Sequence, residues 1–246
     1  MNKKQLSGKI TVVVGGGSAM GLGIVRTLLM ENATVIVPSS DAHEIDRLIA
    51  NTRDLASRGL ITLPTDMIDY AKAADISENI RQRFRKIDMV VTVFDNDCSS
   101  VPLIETEIRD WQKIMDDCIS AHFIAGRLAL HLMKEQGSGT FITVCDADTI
   151  LDRPNSPLAR IAAESQVELS LIFSEEIADC NISYYHLFVN NVDKGRSSLA
   201  LTAGPGWITP EMIGDHIIKL YQGNVPDPQK LFQHFLGRPL PSHHTH

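Results

Sequence analysis

The chain has 246 residues, of which 43% are hydrophobic, and a formal net charge of −7. That is enough apolar material for one large core. Lysines and arginines are scattered rather than gathered into a stripe, which argues against a nucleic-acid partner, and no apolar run approaches the roughly 18 residues of a membrane span.

Met1 to Gly8 is too short a lead before the first strand to be a signal peptide. Ile10 to Val14 is a β-branched apolar run that suits a strand buried on both faces. Met20 to Glu31 carries apolar residues at helical spacing, and Thr34 to Val37 is a strand stopped by Pro38. Asp41 to Arg58 reads as a helix with Asp41 as N-cap. The strand Leu60 to Leu63, the helix Asp69 to Arg85 and the strand Asp88 to Phe94 follow. Thr106 to Gln136 reads as one long helix, broken by Gly137-Ser138-Gly139 before the strand Thr140 to Cys145. Ser156 to Asp179 is a second long helix, Ile182 to Val189 a strand, and Thr209 to Tyr221 a helix with Pro210 in its first turn. No further strand is recognisable between Gly223 and Leu240. Phe232 and Phe235 there are expected to cover a cleft or pack on a neighbouring subunit.

This β-α-β alternation implies a parallel sheet with helices on both faces. The expectation is a single three-layer, doubly wound α/β domain over residues 1–246, with 223–246 a divergent C-terminal segment. Cys98, Cys118, Cys145 and Cys180 lack CxxC spacing and are read as reduced thiols of a cytoplasmic protein. The histidines of the tail Ser242 to His246 read as a frayed terminus, and no metal site is assigned.

The strongest local signal is Gly15-Gly16-Gly17-Ser18-Ala19-Met20-Gly21-Leu22-Gly23, leaving a strand and entering a helix. Glycines let the backbone approach a pyrophosphate, and the helix N-terminus offers unpaired N–H groups and partial positive charge. Gly15, Gly17, Ser18, Met20, Gly21, Leu22 and Gly23 are therefore the candidate dinucleotide-binding residues. The bland alternative is a tight strand–helix turn with no ligand. An acid about 20 residues beyond the first glycine bonds the ribose in NAD-binding chains. Ser39 and Ser40 stand there instead, with no carboxylate to repel a 2′-phosphate, which favours NADP over NAD. No Arg or Lys stands beside them, and the two serines also fit a plain strand end.

Gly17, Gly21 and Gly23 fit G-x-x-x-G-x-G, which resembles the signature of the short-chain dehydrogenase/reductase family on its Rossmann-type fold. Leu63 to Met67, Asp110 to Asp117, Leu132 to Gly139 and Ile208 to Met212 resemble later segments of that family, in order. The resemblance implies that Asp66 contacts the adenine amino group with Met67 beside it. It also implies a four-helix dimer or tetramer interface formed by the two long helices.

Members of that family transfer hydride with a Tyr and a Lys four residues apart, a Ser on the substrate oxygen and an Asn on the long helix. The resemblance puts Cys118 at the Asn position, Asp146 (or Ala147, if the loop slips by one) at the Ser position, Arg160 at the Tyr position and Glu164 at the Lys position. No Tyr-x-x-x-Lys occurs in the sequence. Arg160 and Glu164, four apart on a helix, can pair. His122, one turn beyond Cys118, could reach the same cleft or pack at a helix interface. Phe94 and Asp95 stand where small residues are usual and could crowd a cofactor. The expected function is a dinucleotide-binding protein, non-catalytic or strongly divergent. An oxidoreductase with an acid/base site rebuilt from Asp146 and Arg160, and a non-redox enzyme on the same scaffold, stay open. The small-molecule substrate is not legible.

Overall fold

In the computed structural model, residues 4–94, 101–147, 157–193 and 206–237 are described. The strands are β1 (Ile10–Val14), β2 (Thr34–Ser39), β3 (Leu60–Pro64), β4 (Met89–Phe94), β5 (Gly139–Asp146), β6 (Ile182–Asn190) and β7 (Phe232–Leu236). The helices are α1 (Ala19–Met30), α2 (Ala42–Asn51), α3 (Tyr70–Phe84), α4 (Ile108–Ile114), α5 (Ala121–Gln136), α6 (Pro157–Glu176) and α7 (Pro210–Tyr221). The strands form one sheet in the order β3-β2-β1-β4-β5-β6-β7, every pair parallel.

The apolar runs explain the layers. Every residue of β4 is buried, as a central strand covered on both faces requires. One face packs Val13 and Val91 against Ile24 and Leu28 of α1 and Ile213 and Ile217 of α7. The other packs Val12 and Phe141 against Ile80 of α3 and Ala125 and Met133 of α5. Strand order reverses between β1 and β4, and that reversal opens a crevice at the strands' carboxyl ends.

At the opposite end, buried Asp88 locks β1 to β4. Its carboxylate accepts the Ile10 amide at 3.0 Å and lies 3.1 Å from the Lys9 ammonium. Burial alone would raise the Asp88 carboxyl, yet the Ile10 amide and the Lys9 and Lys86 charges hold it below its ordinary 3.8.

Two helices touch through glycines. A β-carbon on Gly23 of α1 would lie 2.3 Å from Pro210 Cβ, and one on Gly214 of α7 would lie 2.6 Å from Thr27 Cβ. The backbones of α1 and α7 therefore approach more closely than side chains would allow.

Three expectations need correction. The helix expected over Asp41 to Arg58 stops at Asn51, and a tighter 3₁₀ segment, Arg53–Arg58, follows. Buried Thr52 turns its hydroxyl back to the Leu48 carbonyl at 2.7 Å, and that bond ends the regular turns. The long helix over Thr106 to Gln136 begins at Ile108 and contains a π-helical turn, Met115–Ser120. The wider turn is accommodated by Gln166 of α6, whose Nε2 donates to the Cys118 carbonyl at 3.2 Å.

The third correction is β7. The segment read as strandless adds a parallel edge strand beside β6, pairing His186 with Phe232 through Asn190 with Leu236. Phe235 stacks on His216 of α7 at 4.6 Å, while His234 stacks on Phe188 from the other face at 5.2 Å.

Candidate functional site

The crevice is a cleft of about 390 Å³ bordered by the ends of β1 to β4. Gly15 forms its floor with φ +78°, and a β-carbon there would sit 2.1 Å from the Val93 carbonyl oxygen. Gly21 is equally constrained, its β-carbon position lying 2.1 Å from the Gly15 carbonyl. Ser18 caps α1 by accepting the Gly21 amide at 3.0 Å, and its own amide returns to the Gly15 carbonyl at 3.2 Å.

This turn brings the start of α1 to the cleft. The first helical turn has backbone N–H groups without intrahelical acceptors, and the helix dipole adds partial positive charge there. A diphosphate fits such an edge. Gly15 and Ser18 line the cleft itself. Met20 is fully buried in the core, Leu22 packs against it, and Gly23 abuts Pro210. Those three shape the turn from behind.

Ser39, Ser40, Asp66 and Met67 all line the cleft, as expected for its adenosine end. The strand-end position carries no carboxylate of its own, but one reaches it from the next helix. Glu44, in the first turn of α2, lines the cleft and accepts the Ser39 hydroxyl at 3.0 Å. The same Ser39 oxygen accepts the Asp41 amide at 3.2 Å. Arg47 follows one turn on. Its Nη2 donates to the Gly17 carbonyl at 3.1 Å and lies 3.9 Å from the Glu44 carboxylate. Sequence reasoning missed both residues because it looked only at the strand end. The signal was present: Asp41 as N-cap with Glu44 three residues on is capping-box spacing, which sends the glutamate back across the helix start.

The opposite wall holds Phe94, Lys113, Asp117 and Cys118. Phe94 does reach the cleft wall, and Asp95 lies outside the described residues. Lys113 and Asp117 pair along their helix. Asp146 closes β5 and is buried. Arg160 and Glu164 do pair, at 3.8 Å, with side chains 40% and 53% exposed. Of these four family positions, Cys118 is the one among the described lining residues.

His122 does not open to the cleft. It is fully buried, with Nε2 3.0 Å from both the Tyr184 hydroxyl and the Thr143 hydroxyl. Tyr184 also donates to Ser170 Oγ at 3.2 Å, and Ser170 meets His186 Nδ1 at 2.8 Å. Burial drives both histidines down to about 3 and Tyr184 up to about 12, so this chain of groups is uncharged near neutral pH. Among the described residues no cluster of three or more His, Cys, Asp or Glu could hold a metal, and no helix is long and apolar enough to cross a membrane.

Comparison with known proteins agrees with this geometry. The sequence profile described as short chain dehydrogenase matches residues 9–156. An uncharacterized oxidoreductase of Staphylococcus aureus (strain N315) is 23% identical over 198 residues, 80% of this chain and 82% of that protein. A D-beta-hydroxybutyrate dehydrogenase of Rhizobium meliloti (strain 1021) is 25% identical over 177 residues, covering 71% and 68% of the two chains. A 3alpha-hydroxysteroid dehydrogenase of Mediterraneibacter gnavus is 22% identical over 235 residues, covering 94% and 89%.

Proposed function

Because the chain belongs to the short-chain dehydrogenase family, we propose that it holds a nicotinamide adenine dinucleotide on the Gly15–Gly23 turn without performing tyrosine-driven hydride transfer. It then serves as a dinucleotide sensor or as a silent subunit. The observation that carries this reading is the Arg160–Glu164 ion pair on α6. A guanidinium stays charged at any working pH, so Arg160 cannot give a carbonyl the proton that accompanies hydride. Bound nicotinamide would supply hydride chemistry. This chain's contribution is the cradle: the Ser18-capped turn for the diphosphate, and Ser39, Glu44, Asp66 and Met67 around the adenosine.

The serines alone suit NADP. Glu44 beside Ser39 opposes a 2′-phosphate, and the choice of nucleotide turns on it. The chain also pairs with a second copy through α5 and α6, where Phe123 and Ile172 are 46% and 44% exposed.

NADH and NADPH fluorescence on adding protein tests binding. A panel of carbonyls and alcohols then tests turnover. The expected result is a shifted emission with no turnover in the natural chain. The double substitution Arg160→Tyr with Glu164→Lys is expected to restore measurable reduction. Turnover by the unaltered chain would favour the competing reading, a rebuilt site in which Asp146 is the base and Arg160 holds the substrate's oxyanion. Failure of both nucleotides to bind would end the dinucleotide reading.

A further inference from the structure

Strand-end serines and a helix-borne glutamate compete to define the adenosine end of the cleft. Asp41, Glu44 and Asp66 all line it. Two of these carboxylates are already engaged by backbone: Asp41 accepts the His43 amide at 2.8 Å and Asp66 the Ile68 amide at 3.1 Å. Glu44 is different. Its Oε2 takes a side-chain hydroxyl, Ser39, and would lie 3.0 Å from a β-carbon on Gly17. That places one carboxylate between the glycine turn and the end of β2.

We propose that Glu44 selects ligands whose adenosine ribose has free hydroxyls, making this an NAD(H) site rather than an NADP(H) site. The proposal rests on the dinucleotide reading given above. Three facts support it. The Ser39 hydroxyl hydrogen is spent on Glu44, so Ser39 is a poor donor to a phosphate. Arg47, on the same helix as Glu44, is committed to the Gly17 carbonyl and lies beside Glu44 itself, and Lys113 on the opposite wall is paired with Asp117. A phosphate monoester would bring a further charge of about −1.5 to −2 against a cluster that is already acidic. A ribose hydroxyl, by contrast, donates to a carboxylate in a charge-assisted hydrogen bond. Glu44 thus does from α2 what an acid at the strand end would do.

The test uses the adenosine halves alone, so that the nicotinamide half does not enter. The full chain is titrated calorimetrically with 5′-AMP and with 2′,5′-ADP, which differ only by the 2′-phosphate. The natural chain is expected to bind 5′-AMP at least about tenfold more tightly, a difference of about 1.4 kcal/mol. Glu44→Gln removes the charge and keeps the shape. It should weaken 5′-AMP, strengthen 2′,5′-ADP and bring the ratio close to one. Glu44→Ala, which needs no hydrogen bond from Ser39, is the second variant for the same ratio. Equal or tighter binding of 2′,5′-ADP by the natural chain overturns the assignment while leaving dinucleotide binding intact. An unchanged ratio in folded variants overturns the role of Glu44. If no adenine nucleotide binds, the underlying dinucleotide reading fails, and this inference fails with it.

Discussion

Gly15 sits against the Val93 carbonyl so closely that a methyl group on it would collide at 2.1 Å, and its φ of +78° lies in the left-handed region. Neither problem relaxes independently, because β1 and β4 are hydrogen-bonded neighbours. Gly15→Ala is therefore expected to cost about 2–4 kcal/mol, combining backbone strain with overpacking. Chemical denaturation of the two proteins measures it. A loss below about 0.5 kcal/mol, the range of an ordinary surface change, would contradict the contact.

Asp88 makes stability depend on acid. Its carboxyl is held below 3.8 in the fold, so its contribution is complete above that value. The contribution is lost as pH falls through the lower, folded value. Asp88→Asn should cost about 1–3 kcal/mol at pH 7, the range for losing a charge-assisted bond to a buried amide. The gap between variant and natural chain should shrink in strong acid. Urea midpoints at pH 7 and pH 3 compare the two.

The buried histidines act over a different window. Folded His122 and His186 take up protons only near 3, whereas their ordinary value is 6.5. The unfolded chain therefore binds more protons as pH drops below 6.5, and stability should fall steadily from there toward about 3. Replacing His122 with Phe leaves Tyr184 and Thr143 bonded to each other at 3.2 Å. The His122→Phe variant should show a shallower pH slope between 6.5 and 4. An unchanged slope would mean that His122 is not buried neutral.

Phe123 stacks on Phe173 at 6.2 Å while leaving nearly half its surface open on the face proposed to meet a second copy. Phe123→Glu should halve the mass seen by light scattering and leave circular dichroism unchanged. A natural chain that is already monomeric would refute the pairing.

Much of this architecture could be read from residue order. The β-branched runs Ile10–Val14 and Met89–Phe94 announce central strands because both faces must be apolar. β7 could not be read: Phe-Gln-His-Phe-Leu is short, has no β-branched residue and follows Pro226 and Pro228. It is a strand because β6 offers a free edge and α7 offers His216. At the cleft, the glycine spacing marked the turn, since close backbone approach leaves only one residue type. Glu44 was hidden because its role depends on which way the first turn of α2 faces, and a linear search at position 39 does not see that. His122 was ambiguous for a related reason: its partners Thr143 and Tyr184 come from two later strands.

Gly23 carries a wider lesson through its contact with Pro210. Two helix backbones meet there, so the residue would be retained by architecture alone in a descendant that had abandoned nucleotides altogether. A fingerprint of this kind can outlive the chemistry for which it is usually quoted. Ancestry is written in Gly23; present-day occupation of the cleft has to be sought in side chains that are free to change.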